Sequence, residues 1–138
     1  MYGHVRATPD EVYDHIVGLG QADHWLKYFC NVVWRTPSHT GVDSVFDETF
    51  DFMTIRVRTM VDDRGGRWAA AVDRCSLPIA NKMLEDVRLS DDGAGGTDVD
   101  WKIHYDPPLL ITPAAGLGNA FFEYMLNKSL EQLDALVG

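Results

Sequence analysis

The sequence predicts an α+β domain in which a curved antiparallel sheet of six to seven strands wraps around one long C-terminal helix, with two short helices after the first strand. Three observations lead to this architecture. A capped helix start lies near the N-terminus, alternating segments separated by Gly- and Asp-rich turns fill the middle, and the last segment is amphipathic at helical spacing. With 138 residues, the chain fits one domain over residues 1–138 and is too short for two ordinary ones.

Composition excludes several classes of function. Hydrophobic residues make up 46% of the chain, which supports a sizeable core and argues against disorder. Twelve Lys and Arg against 21 Asp and Glu give a net charge of −9, which disfavours nucleic acid as a partner and docking on anionic membranes. No apolar run approaches the roughly 18 residues that insertion into a membrane requires. Cys30 and Cys75 are too few for a disulfide framework and no leader peptide is visible, so we expect a cytoplasmic protein.

The first helix has the clearest local signal. Thr8 is a suitable N-cap, Pro9 suits the first helical position, and Glu11 lies three residues after the cap. The helix is expected to stop at Gly18 and Gly20. A second short helix is predicted over 21–29.

The middle of the chain reads as strands over about 31–36, 42–50, 53–62, 67–74, 82–90 and 97–106. Short turns rich in Gly, Asp, Pro and Ser separate most of them, which favours antiparallel hairpins over crossovers. The 50–53 junction has no clear turn signal, so a bend within one long strand is the alternative there.

The final helix opens at Thr112 and Pro113 or, alternatively, at an Asn119 cap. Its apolar residues fall in one arc of about half the circumference, so it requires a large apolar partner. The sheet is large enough to serve as that partner. A twisted sheet curls, and a straight helix cannot touch a curved sheet along its whole length. The gap that remains predicts a pocket at one end.

Four segments and the final helix resemble the helix-grip fold of the START-like superfamily, which includes the polyketide cyclase/dehydrase and lipid-transport proteins and the plant pollen-allergen type. They are ATPDEVY at 7–13, DHW at 23–25, GGTDVDW at 95–101 and YDPP at 105–108. The resemblance implies a cavity for a hydrophobic or aromatic small molecule. The family's first strand is usually longer than residues 1–7 allow, so either the sheet edge is stunted or a second copy completes it as a homodimer.

Alternation along the strands assigns side chains to the two faces. The apolar phase of 97–106 includes Trp101 and Tyr105, and that of 42–50 includes Val42, Phe46 and Phe50. Three charged residues share the apolar phase of their strands and are therefore predicted to face inward: Glu48, Glu85 and Arg74.

These three inward-facing charged residues are the candidate catalytic residues, together with Tyr105. A carboxyl in an apolar cavity has a raised pKa, which suits general acid–base work on an enolisable carbonyl. Arg74 is the candidate cation for the carboxylates, and Tyr105 could hydrogen-bond a substrate oxygen. The alternative is that strand ends or a bulge turn the two Glu side chains into solvent, and that Arg74 extends to water.

Apolar residues of the inner phase are the candidate ligand-binding set: Trp34, Phe46, Ile55, Trp68, Trp101, Phe121 and Met125. Ser129 lies in the apolar arc of the last helix, where bonding to the backbone one turn back is its expected role. His104 falls on the outer face. No spacing resembles a metal site, and no cofactor is expected.

Two functions remain open at this point. The first is an enzyme of the polyketide cyclase or aromatase kind, which would fold a poly-carbonyl chain and close it by proton transfer. The second is a non-catalytic carrier for a lipid-like or aromatic ligand. A stress-responsive regulator related to heat-shock ATPase activators is a third option without specific support.

Overall fold

The computed structural model describes residues 1–77, 80–108 and 113–138. Within these residues, seven strands and three helices follow one another. They are β1 (Tyr2–Val5), α1 (Pro9–Ile16), α2 (Ala22–Trp25), β2 (Phe29–Trp34), β3 (Val45–Phe50), β4 (Thr54–Asp63), β5 (Arg67–Cys75), β6 (Ala80–Asp91), β7 (Thr97–Pro108) and α3 (Pro113–Val137).

The seven strands form a single antiparallel sheet in the order β1-β7-β6-β5-β4-β3-β2. All neighbours except β1 and β7 are consecutive along the chain, which is the hairpin arrangement that the short turns predict. The curved sheet, the C-terminal helix and the short helices confirm the predicted fold class.

The helix start at Thr8 is confirmed, because its Oγ1 accepts a hydrogen bond from the amide of Glu11 at 3.3 Å. The second helix is shorter than predicted. It ends at Trp25 because Leu26 is extended, and the chain enters β2 at Phe29. Trp25 is buried, and its indole N–H donates to the carbonyl of Gly20 at 2.9 Å.

Helix α3 packs its apolar side against the rest of the domain. The buried residues of this side recur every three or four positions: Met125, Leu126, Ser129, Leu130 and Leu133. Strand β1 approaches closely, since a Cβ added at Gly3 would lie 2.6 Å from Leu130 Cδ1. Pro113 begins the helix as predicted, and Thr112 lies outside the described residues.

One strand boundary differs from the prediction, and the structure decides the alternative left open at a second. Strand β3 begins at Val45, so Val42 lies in the preceding loop and is 61% exposed rather than inward-facing. The 50–53 junction is a tight connection between two strands, with the Phe50 amide donating to the Met53 carbonyl at 2.7 Å. The predicted division into two strands at this junction is thus confirmed, and the alternative of a bend within one long strand is wrong.

Irregular pairing of β4 with β5 inverts the facing of residues at two places. The register shifts between Arg56 and Val57 leave Asp73 as an extra residue on β5, and a second shift leaves Met60 as an extra residue on β4. Each bulge moves the residues beyond it to the opposite face.

Candidate functional site

A cavity lies between the concave face of the sheet, α3 and the short helices, and its volume is about 50 Å³. Most of its described wall is apolar. The lining side chains are Ile16, Leu19, Trp25, Leu26, Phe46, Phe50, Met53, Ile55, Trp68, Val72, Met83, Trp101, Ile103, Phe122, Met125 and Leu126, together with Glu48 and Glu85. The site is thus an apolar cavity that contains two carboxyl groups.

Glu48 reaches the cavity because it alternates in phase with Phe46 and Phe50 along β3. The residue is 7% exposed. No described residue forms a side-chain hydrogen bond with its carboxyl group. Burial, with a further contribution from the nearby Glu85, raises the pKa of Glu48 from 4.5 to about 8. Glu48 is therefore mainly protonated at neutral pH.

Glu85 lies on β6, in phase with the buried Met83 and Val87. Its Oε1 accepts a hydrogen bond from the indole N–H of Trp101 at 2.7 Å. Burial raises the pKa of Glu85 from 4.5 to about 7, and the Trp101 hydrogen bond opposes this rise. Near neutral pH, Glu85 exists in both protonation states.

The curvature of the sheet brings the two carboxyls to one place. Glu48 and Glu85 lie on strands that β4 and β5 separate. In a flat sheet such strands would be about 14 Å apart at ordinary strand spacing. Both side chains nevertheless line the same small cavity, and the Glu85 charge contributes to the raised pKa of Glu48.

Tyr105 lies beside the cavity rather than in its wall. It lines a cleft of about 280 Å³ between β7 and α3, which shares Trp101, Ile103 and Phe122 with the cavity. Within the described part of the chain, its buried hydroxyl has no hydrogen-bond partner. Burial, with contributions from Cys75 and Glu85, raises the pKa of Tyr105 to about 12, so the hydroxyl is a neutral donor.

The predicted inward facing of Arg74 is wrong. Because Asp73 is an extra residue in β5, Arg74 pairs with Arg56 and lies exposed on the outer face. The same bulge turns Cys75 inward, where it pairs with Ile55 and packs against the core. Strand alternation could not reveal Cys75 as a neighbour of the site, because the bulge has no sequence signal of its own.

Two predicted ligand-binding residues lie outside the cavity wall. Trp34 faces inward as expected, but it packs between Phe46 and the ring of His39, with centroid distances of 4.8 and 4.3 Å. Phe121 is 37% exposed and packs with Tyr28 and Phe52. Its neighbour Phe122 lines the cavity instead, since one position shifts a helical side chain by about 100°.

The other candidate ligand-binding residues line the cavity: Phe46, Ile55, Trp68, Trp101 and Met125. Sequence reasoning did not select eleven further wall residues, namely Ile16, Leu19, Trp25, Leu26, Phe50, Met53, Val72, Met83, Ile103, Phe122 and Leu126. Five of them share an apolar strand phase that alternation identifies: Phe50, Met53, Val72, Met83 and Ile103. Which of them reach the cavity depends on where α3 crosses the sheet.

Ser129 and His104 behave as the simpler interpretations predict. The Ser129 hydroxyl donates to the Met125 carbonyl one turn back at 2.7 Å and accepts the Lys27 amide at 3.0 Å, which ties the α2–β2 connection to α3. His104 is exposed on the outer face. Among the described residues, no cluster of three or more His, Cys, Asp or Glu side chains could hold a metal ion. No described helix is long and apolar enough to cross a membrane.

The family model for polyketide cyclase/dehydrase and lipid transport proteins matches residues 3–138. No curated protein sequence matches the chain at a significant level.

Solved structures share the fold at low identity. The protein XoxI from Bacillus cereus superposes with a TM-score of 0.78 and 16% identity, covering 99% of this chain and 92% of that one. The ginseng major latex-like protein 151 from Panax ginseng gives 0.75 at 10% identity, covering 100% and 95%. The di-domain ARO/CYC StfQ of the steffimycin biosynthetic pathway gives 0.72 at 15% identity, covering 97% of this chain and 44% of StfQ. At these identities the likeness shows the fold alone.

Proposed function

The chain belongs to the polyketide cyclase/dehydrase and lipid transport family, and from that premise we propose that it binds a hydrophobic or aromatic small molecule in the cavity and cyclises a poly-carbonyl substrate by acid–base catalysis. The observation that carries the proposal is the presence of two carboxyls with raised pKa, Glu48 and Glu85, in one otherwise apolar enclosure.

The two carboxyls suit complementary roles. Glu85, which ionises near pH 7, removes a proton from a carbon between two substrate carbonyls. The resulting enolate attacks a second carbonyl carbon and forms the new carbon–carbon bond. Glu48, protonated at this pH, transfers its proton to the oxygen of the attacked carbonyl. Glu48, now ionised, takes the second proton from the attacking carbon while the proton held on Glu85 joins the new hydroxyl, so that water leaves, a carbon–carbon double bond forms and both carboxyls return to their starting states.

The apolar wall holds the substrate in a folded conformation. Trp68, Trp101 and Phe46 hold the chain so that its reacting carbons meet, which replaces a search over many conformations. Ile55 and Met125 complete the proposed ligand-binding wall. The neutral Tyr105 hydroxyl donates to an oxygen of a ligand that extends into the adjacent cleft.

Binding requires the wall to move. A volume of about 50 Å³ holds a few water molecules, whereas small-molecule sites usually measure about 300–1,000 Å³. Three lining residues are the flexible Met53, Met83 and Met125. Movement of the side chains shared with the cleft would add the cleft's volume of about 280 Å³ to the site.

The test separates turnover from binding. Glu48→Gln and Glu85→Gln are compared with the wild type and with Glu131→Gln, an exposed carboxyl on α3. The probe is an uncharged aryl tetraketone, whose closure is followed by the absorbance of the aromatic ring that forms when water leaves. Each cavity substitution is expected to slow closure about a hundredfold to ten-thousandfold with retained binding. Equal rates in all four proteins would remove the carboxyls from the mechanism.

A carrier without chemistry is the second candidate. It is favoured by the absence of any polar side chain other than the two carboxyls among the described wall residues. Native mass spectrometry of freshly purified protein would reveal a retained small molecule. A retained ligand together with no acceleration of closure by the wild type would favour the carrier.

A further inference from the structure

Positive charge is held on the outside of this protein. Most of the twelve Lys and Arg residues pair with carboxylates at the surface, as Arg56 does with Asp47 and Arg67 with Asp86. Of those without a carboxylate partner among the described residues, Arg74 and Lys82 are exposed, and Lys27 places its ammonium 4.8 Å from the ring centre of Tyr28.

The part of the cavity wall that the structure describes contains no cationic side chain. None of its described lining residues is Lys, Arg or His. The stretches 78–81 and 106–119 contain no such residue either. The two acidic groups in the wall, Glu48 and Glu85, therefore have no basic partner among the wall residues. Of the basic side chains that line the adjacent cleft, Lys102 pairs with Asp100 at 3.2 Å and His104 is exposed on the outer face.

An anionic ligand would meet an unfavourable environment at this site. Its carboxylate would lose water, gain no cation, and lie close to Glu85 when that group is ionised. An uncharged carbonyl avoids these costs and can accept a hydrogen bond from protonated Glu48.

We propose that the cavity selects by charge: it admits uncharged carbonyl, ester or phenol compounds and excludes free carboxylic acids such as fatty acids, with Glu48 and Glu85 setting the selection. This inference rests on the proposed function, because it assumes that a ligand enters the cavity. It narrows the substrate to poly-carbonyl chains whose acid end is esterified or otherwise masked.

Two ligands with the same ring system test the proposal. The uncharged 2-acetonaphthone and the anionic 2-naphthoate are titrated near pH 8 into the wild type by calorimetry. We expect naphthoate to bind more weakly by about tenfold or more. The Glu48→Gln/Glu85→Gln protein should narrow the difference between the two affinities by about threefold or more, because the repulsion is removed while the cost of desolvating the carboxylate remains.

The adjacent residues on the same strands provide the matched control. Asp47→Asn/Asp86→Asn also removes two carboxyls from β3 and β6, but on the outer face, and it removes at least as much negative charge as the inner variant. We expect this protein, checked for folding by circular dichroism, to keep the wild-type preference. If it loses the preference as the inner variant does, long-range charge explains the effect and the proposal is overturned.

The methionines report where the ligand sits. The methyl carbon signals of Met53, Met83 and Met125 should shift on binding, whereas Met60, exposed on the outer face, should not. If both ligands bind the wild type with comparable affinity and both shift the signals of the cavity methionines, the charge selection is overturned. The cavity would then still be a binding site. Failure of both ligands to shift any cavity methionine would overturn the proposed function as well.

Discussion

Asp47 and Glu48 are consecutive residues of β3, and the sheet places one on each of its faces. On the outer face, the hydrogen bond from Arg56 is the largest of several influences that lower the pKa of Asp47 from 3.8 to about 2. Arg35 adds a second ion pair at 2.6 Å. On the inner face, burial raises the pKa of Glu48 to about 8. Adjacent carboxyls thus differ in pKa because the cations lie on one side only.

Glu85 and Asp86 repeat this contrast on β6. Burial raises the pKa of Asp86, but hydrogen bonds and charges from Arg67 and Arg88 outweigh it, so the pKa lies below 3.8. Burial raises the pKa of Glu85 to about 7, since its hydrogen-bond donor among the described residues is the neutral indole of Trp101. The pairing available on each face, and not the residue type, determines the charge state.

The largest expected effect is on the pH dependence of stability in Glu48→Gln. Between pH 4.5 and about 8 the folded wild type holds a proton on Glu48 that the unfolded chain releases. The wild type's free energy of unfolding therefore falls as pH rises through this window, by on the order of 5 kcal/mol. Because Gln does not ionise, the free energy of unfolding of Glu48→Gln should not fall in this way. Relative to the wild type, this protein should be more stable near pH 8 than near pH 4.5, as measured by urea unfolding at several pH values. A constant difference between the two proteins across the window would show that Glu48 is not buried as described.

Trp101→Phe is expected to have the next largest effect. The indole N–H of Trp101 donates the hydrogen bond that opposes the effect of burial on the pKa of Glu85. Without this hydrogen bond, the pKa of Glu85 should move above 7. Carbon-13 NMR of the Glu side chains measures this directly. The lost hydrogen bond and ring volume should cost about 2 kcal/mol of stability. An unchanged or lower pKa would contradict the assigned role of Trp101.

Asp47→Asn should act in the opposite sense to Glu48→Gln. The pKa of Asp47 is lowered, so its stabilising contribution is present above pH 3.8 and is lost as pH falls through about 2. At neutral pH the substitution should cost about 1 kcal/mol, since solvent and salt weaken these ion pairs. Thermal unfolding at neutral pH and near pH 2 checks whether the difference disappears in acid.

Arg74→Ala is expected to change least. The side chain is exposed beyond the Asp73 bulge and does not line the cavity, so stability should change by less than about 0.5 kcal/mol. Ligand affinity and closure rate should equal those of the wild type. A large loss of ligand affinity or of closure rate would mean that Arg74 reaches the site in solution.

Local pattern predicted much of the fold and part of the site. The Thr8 cap, the number of strands and the long final helix follow from spacing that neighbouring residues set. Alternation likewise placed Glu48 and Glu85 on the inner face. The prediction failed for Arg74, because one extra residue in a strand inverts every later position. It also failed for Phe121. The apolar arc of a helix predicts which side of the helix is buried, but not which residues each side chain packs against.

The sequence by itself determined which strand residues share a face, since the period of two is a property of the extended backbone. Only the tertiary structure decided that Glu48 and Glu85 line the same cavity. Their strands are separated by two others, and the bending of the sheet around α3 closes that distance. The curvature arises from the packing of the whole sheet against the helix, which no short stretch of sequence encodes.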